Sequence, residues 1–374
     1  METLHQSRKV KILAMYLPQF HQITENDEFW GHGFTDWVTV KKAKPLFEGH
    51  LQPRVPLGKN YYDLSIKENV AWQAKLAKEY GIYGFGIYHY WFNNEKNLLT
   101  KPAQIILEDK GIDINFFFAW DNTSWKRSWS GLKGGNAWAP IMENKSQDKK
   151  GASILIPYIL GGKKDWGNHY NYLRSFFLDE RYVKIGGRPL FNILHYNSNI
   201  AEMCTYWDEL AKQDGFEGLF FIFRYDKKEN IPSSEFQYKY EPIFSGWTNH
   251  NLVDRIINKI YRYRFLRVIS YDKIWKSILK RAIKMNQPNI YHGAFVSYDD
   301  TPRRGKTGGI VVKSSSPSKF EKYLSELVNI SAKQGKEFVF LTAWNEWGEG
   351  ACLEPDEVYN FAYLEAVKNV ILRC

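Results

Sequence analysis

The chain of 374 residues is 44% hydrophobic and 25% charged, so it can bury a large core, in one large barrel or two ordinary domains, and a disordered chain is excluded. No stretch stays apolar for the ~18 residues of a membrane span, and the opening METLHQSRKV lacks the apolar centre of a secretory signal, so the expected location is cytoplasmic. The net charge of +10 argues poorly for nucleic acid, because ten Lys and Arg against two Asp fall between Asn251 and Pro288 and no RNA- or DNA-binding motif accompanies them.

In chain order, the first strand-like run is KILAMYLP from Lys11, followed by a long segment, His21 to Asn60, and a helical pattern from Ser65 to Tyr80. YGFGIYHYWF from Tyr83 is the next strand, then a helix over about Thr100 to Lys110, then INFFFAWD from Ile114. A second long segment, Asn122 to Lys164, is rich in Gly, Lys, Ser and Trp. Helices over Trp166 to Asp179 and Ile200 to Gln213 flank the strand RPLFNILHY from Arg188. GLFFIFRYD from Gly218 and QYKYEPIF from Gln237 come next, ahead of the basic segment 251–288. YHGAFVSYDD from Tyr291, a helix over Pro317 to Gln334, EFVFLTAWNE from Glu337 and a last helix over Glu357 to Leu372 complete the pattern.

Eight short apolar runs separated by helices predict parallel strands covered on both faces, and hence an α/β fold: a single (β/α)8 TIM barrel over residues 1–374, with long loops after strands 1 and 3 on the catalytic face. An open doubly wound sheet is the alternative. The basic segment interleaves Ile260, Tyr261, Phe265, Ile274, Trp275 and Leu279 with its cations. It reads either as helix packed on the barrel with a solvated basic face, or as a peripheral contact with anionic membrane or an acidic, lipid-linked glycan. Cys204, Cys352 and Cys374 are far apart with no CxxC spacing, so neither a disulfide framework nor a zinc cluster is predicted. No metal and no cofactor are expected.

The strand runs end on His89, Tyr90, Trp91; on Trp120, Asp121, Asn122; on His195; on Glu241; on Asp299; and on Trp344, Asn345, Glu346. Carboxylates supply acid and base, while flat rings match the faces of pyranoses, so this mixture at one barrel face suits a carbohydrate. In LTAWNEWGEGACLEPD, Leu341 to Asp356, a continuing strand would point Glu346 and Glu349 to opposite faces. Gly348 and Gly350 let the chain turn and bring the two carboxyls into one pocket. Repulsion and burial there would raise one pKa, leaving one proton donor and one charged base. The competing reading is a solvated loop whose acids meet surface lysines; Glu354 reads as a brace for the loop.

MYLPQFHQITENDEFWGHGFTDWVTVKKAKPLFEGHLQP, GIYGFGIYHYWF, FFFAWDNTSW, SYDDTPR and LTAWNEWGEGACLEPD together resemble the WbsX family, described as glycosyltransferases of O-antigen and other surface-polysaccharide biosynthesis. That family is similar in turn to the endo-α-mannosidases and endomannanases of glycoside hydrolase family 99, whose matching segment reads approximately NEWHEG…EP. The resemblance implies that Glu346 deprotonates the sugar's 2-hydroxyl, which attacks the anomeric carbon to give a 1,2-anhydro sugar, and that Glu349 protonates the leaving oxygen. It also implies sugar contacts at Tyr16 and His32 and, within SYDDTPR, at Arg303. The relatives' His between the glutamates is Gly348 here.

Three functions follow as expectations. The first is glycosidase or transglycosidase chemistry on an oligosaccharide or polysaccharide, lipid-linked in one form. The second is nucleotide-sugar-dependent glycosyl transfer in lipopolysaccharide O-antigen biosynthesis, although no Asp-X-Asp metal site or GxGxxG is present. The third is an inactive glycan-binding barrel.

Overall fold

A computed structural model describes residues 9–126, 154–226, 229–248, 265–306 and 308–373. Its centre is a closed barrel of eight parallel strands: β1 (Lys11–Tyr16), β2 (Ile82–Asn93), β3 (Asn115–Trp120), β4 (Arg188–Ile193), β5 (Phe220–Arg224), β6 (Phe236–Tyr238), β7 (Ile290–Phe295) and β8 (Phe338–Thr342). Each strand pairs with its sequence neighbour, and β1 closes the circle. Ile12 lies beside Val339 of β8 on one side and Ile82 of β2 on the other.

The strands are nearly continuous apolar runs because both faces are covered, one by the barrel interior and one by helices. Inside, Phe340 packs against Phe117 at 6.0 Å and Tyr238 at 4.7 Å between ring centroids. Gly86 makes room for that layer: a Cβ there would lie 2.5 Å from the Phe117 ring and 3.0 Å from Met15 Sδ.

Among the described residues, seven longer helices surround the strands: α1 (Lys67–Glu79), α2 (Lys101–Glu108), α3 (Lys163–Phe177), α4 (Ser198–Gln213), α5 (Tyr271–Lys284), α6 (Pro317–Lys333) and α7 (Ala362–Arg373). Their apolar residues recur at helical spacing; Trp166, Tyr170, Leu173 and Phe177 of α3 form one buried stripe. Side chains of Asn197, Ser270 and Ser316 cap α4, α5 and α6 by accepting from the backbone N–H three residues on. Among the described residues no helix separates β5 from β6, and no helix is long and apolar enough to cross a membrane.

Two expectations about connections change. The segment 21–60 is not a plain loop, since Thr24–Trp30 and Asp36–Lys42 are short helices within it. The segment after β3 begins and ends as a two-stranded ribbon, Trp125–Lys126 against Ile154–Ile156; residues 127–153 lie outside the described residues. So do 251–264 of the basic segment, whose described remainder is a short strand, Arg267–Ser270, and α5.

Candidate active site

Beyond β8 the chain runs through Asn345–Glu346 into a single 3-10 turn, Trp347–Glu349, and returns as Ala351–Cys352 antiparallel to Asn345–Glu346. Gly350 takes the left-handed conformation that closes this turn, φ 56°. The result puts both carboxyls on one cation: Arg303 donates through Nη2 to Glu346 Oε2 at 3.2 Å and through Nη1 to Glu349 Oε1 at 2.9 Å. The solvated-loop alternative does not hold, for Arg303 is buried and the Glu346 side chain is 6% exposed. Glu349, at 22%, faces the opening.

A third carboxylate completes the cluster, and sequence reasoning missed it. Asp36, on the short helix of the β1–α1 connection, accepts from Arg303 Nε at 3.1 Å and Nη2 at 3.2 Å, and from the Gly348 backbone N–H at 3.0 Å. Asp36 therefore holds both the guanidinium and the catalytic turn. Its only signal was position inside the motif HGFTDW. The same contacts explain Gly348: a Cβ there would lie 2.5 Å from Arg303 Nε and 2.6 Å from Asp36 Oδ2. The ion pair occupies the space that any larger residue at 348 would need.

Burial, and then the charge of Glu349, push the Glu346 carboxyl up to about 8, against the opposing pull of Arg303. Burial also works against the Arg303 charge, but Asp36, Glu346 and Glu349 hold it on. Glu346 therefore holds a proton at neutral pH. Glu354, behind the turn, accepts from Tyr62 Oη, Gln73 Nε2 and Trp347 Nε1 at 2.6–2.7 Å, which makes it the brace that fixes Trp347 between the two glutamates.

Four tyrosines surround the pair, Tyr88, Tyr90 and Tyr298 buried and Tyr240 half-buried. The Tyr88 and Tyr240 hydroxyls are 2.8 Å apart, and both feel the charge of Glu346; Tyr90 feels Asp121, Glu346 and Arg303, and Tyr298 feels Glu349 and Asp300. Burial pushes all four hydroxyls well above their ordinary range, so they are neutral donors at any working pH. On the adjoining wall, Arg224 at the end of β5 donates to His195 Nε2 at 3.0 Å, and His195 Nδ1 meets Glu229 Oε1 at 2.6 Å. Asp121, raised chiefly by burial, lies within the fields of His195 and Arg224. Arg303, Tyr90, Asp121 and His195 are thus the predicted binding residues that the fold gathers around the mouth.

The others serve elsewhere. Tyr16 donates to Gln73 of α1 at 2.6 Å, on the outer face of β1, and His32 is 91% exposed beside Asp27. His89 and Trp91 point outward to α3: His89 Nε2 lies 2.8 Å from His169 Nε2, and Trp91 stacks on His169 at 4.4 Å. Trp120 donates to the Trp91 carbonyl and packs near His169 and Trp207. Asn122 clamps the His195 backbone through both amide atoms, and Asn345 clamps Leu17 in the same way. Glu241 binds Ser245 and faces Arg281 of α5. Burial alone would raise Asp299, but bonds from His50, Thr301 and Gln52 hold it below its usual range; it anchors the 50–52 segment rather than opening to the mouth.

Comparison with solved structures finds the same parallel eightfold barrel elsewhere. A glycoside hydrolase-like protein superposes with TM-score 0.60 at 10% identity, over 97% of this chain and 94% of that one. The family 99 endo-α-mannosidase of Bacteroides thetaiotaomicron, in complex with Bis-Tris-propane, superposes with TM-score 0.55 at 14% identity, over 97% and 96%. These likenesses show the fold. The chain belongs to the family described as glycosyltransferase WbsX, matched over residues 12–367. It is 28% identical over 370 residues to an uncharacterized protein, WxcX, in two strains of Xanthomonas campestris pv. campestris, covering 97% of this chain and 50% of each relative. The chain spans about half the length of the curated relatives it matches.

Proposed function

We propose that this protein makes or breaks glycosidic bonds of a bacterial surface polysaccharide of the O-antigen type, with retention through a 1,2-anhydro sugar, using Glu346 and Glu349. The observation that carries this reading is Arg303 holding both carboxyls at 2.9–3.2 Å in one buried site. Glu346 takes the proton of the sugar's 2-hydroxyl, whose oxygen closes on the anomeric carbon, while Glu349 protonates the departing oxygen. Glu349 then takes a proton from the incoming hydroxyl, whose oxygen bonds to the anomeric carbon as the bond from that carbon to the 2-oxygen breaks, and Glu346 returns its proton to the 2-oxygen. The proton that burial keeps on Glu346 has to pass to Glu349 as substrate binds. Substrate supplies the reason: a 2-hydroxyl donating to Glu346 favours its carboxylate, and a glycosidic oxygen accepting from Glu349 favours the acid there.

The family's description favours a sugar rather than water as acceptor. A nucleotide-sugar donor is the second reading, and incubation with surface-polysaccharide fragments and, separately, with nucleotide sugars tells the two apart by which is consumed. A lipid-linked substrate at the inner face of a membrane is consistent with Lys273, Lys276, Lys280 and Lys284, which are all exposed on α5.

The roles are tested by substitution. Glu349→Gln should lower turnover by about 10²–10⁴-fold on substrates with poor leaving groups and less on an activated one. Glu346→Gln should lower both alike, because the 2-hydroxyl step is needed whatever leaves. Near-normal turnover by both variants would remove the pair from the mechanism.

A further inference from the structure

Away from the mouth, a cavity of about 250 Å³ opens between α1, the 56–62 segment and the loop that leads into α7. Neither Glu346 nor Glu349 lines it. Tyr62, Trp72, Trp347 and Phe361 line it, together with Asn60 and Glu354. We infer that this cavity is a second carbohydrate site, one that seats a single neutral pyranose residue apart from the place where glycosidic bonds change.

Size and chemistry select the occupant. The volume falls below the roughly 300–1,000 Å³ that encloses a drug-sized ligand, so a nucleotide does not fit but one sugar ring does, with its neighbours extending past exposed Asn60. Aromatic faces suit the C–H faces of a pyranose. No Lys or Arg lines the cavity, so nothing in it calls for a phosphate or an acidic sugar. The one ionisable acid, Glu354, already takes three hydrogen bonds and is pushed up by burial to about 7. An acyl chain would meet this carboxyl at the floor and gain little. The site also touches the reaction: Trp347, one of its walls, is the residue between Gly348 and Glu346 in the catalytic turn. A sugar seated here would hold a polysaccharide chain against the loop that carries the glutamates, an inference that rests on the substrate being a glycan.

The test uses the full chain and four methyl glycosides, those of glucose, galactose, mannose and N-acetylglucosamine, read by saturation-transfer NMR. At least one should bind with Kd on the order of 1 mM. Binding should persist in the Glu346→Gln/Glu349→Gln double variant and weaken about 10-fold or more in Trp72→Leu, which keeps an apolar filler on α1. Crystals of the unaltered protein soaked in the same glycoside should show a ring between Trp72 and Phe361, which guards against a misfolded variant. Failure of all four to bind overturns the site. Binding that is lost in the double variant yet intact in Trp72→Leu, or a soaked ring only beside Glu349, also overturns it while leaving the catalytic reading standing.

Discussion

At the scale of residues, the raised Glu346 carboxyl bears on stability and, through the proposed roles, on activity. Burial, and then the charge of Glu349, push the Glu346 carboxyl up to about 8. Below that pH Glu346 carries the proton that the proposed mechanism passes to Glu349; above it that proton is lost. The kcat/KM profile should therefore fall as pH rises through about 8, and a profile flat to pH 10 would contradict the raised acid. Stability follows the same group. Folded Glu346 holds its proton up to about 8, whereas in the unfolded chain it is lost near the ordinary 4.5. Its contribution is thus full below about 4.5 and declines as pH rises through 8. Glu346→Gln does not titrate, so its Tm relative to the parent should climb between about pH 5 and pH 8; a constant difference would count against the shift.

Gly348→Ala tests the packing of the same cluster. The added methyl meets Arg303 Nε and Asp36 Oδ2 inside contact distance, so the variant should lose about 1–3 kcal/mol of stability. Activity should drop by about 100-fold as the guanidinium is displaced. Full activity would mean the ion pair shifts without consequence.

How far such details could be read from sequence differs from residue to residue. The two glutamates were legible because the turn between them contains its own glycines. The tyrosines were not, for the run HYWF gave no phase: Tyr88 and Tyr90 face the interior, His89 and Trp91 face α3, and a shift by one residue exchanges the two sets. Asp36 was hidden for another reason. It lies 267 positions from the arginine it binds, and nothing local marks a contact of that range.

At the scale of elements, strands and helices were mostly legible because each carries its own period, 2 or 3.6, while among the described residues β5 and β6 follow one another without the helix the repeat suggests. Helix α5 shows what patterning adds. Its residues Tyr271, Ile274, Trp275, Ile278 and Leu279 are buried, and Lys273, Lys276, Lys280 and Lys284, spaced three, four and four apart, share the opposite face with Ile283, which is 64% exposed. Asp272, the acid at the helix start, is taken by Lys319 at 2.7 Å. An anionic bilayer attracts each such lysine by about 1 kcal/mol near its surface. Liposomes containing phosphatidylserine should bind the protein at about 0.1 M salt and release it near 1 M, where the Debye length shrinks from about 10 Å to about 3 Å. Replacing the four lysines by alanine should abolish the binding. No sedimentation with liposomes at low salt would return this face to ordinary solvated surface.

At the scale of the whole molecule, closure of β1 on both β2 and β8 leaves no edge at which the barrel could divide, and we propose that the chain behaves as a single unit. Two thiols can report on that. Cys352 lies behind the catalytic turn and Cys204 on α4, in another sector of the wall; both are buried, and burial pushes Cys352 up to about 12 and Cys204 well above its ordinary range. Neither can attack an alkylating reagent while covered, since the thiolate is the reactive form. Each therefore works as a clock that starts when its cover lifts. If the barrel opens only as a whole, iodoacetamide should modify Cys204 and Cys352 at one common rate under mild denaturant; a faster Cys352 would mean that the segment bearing both glutamates detaches while the remaining wall stays shut.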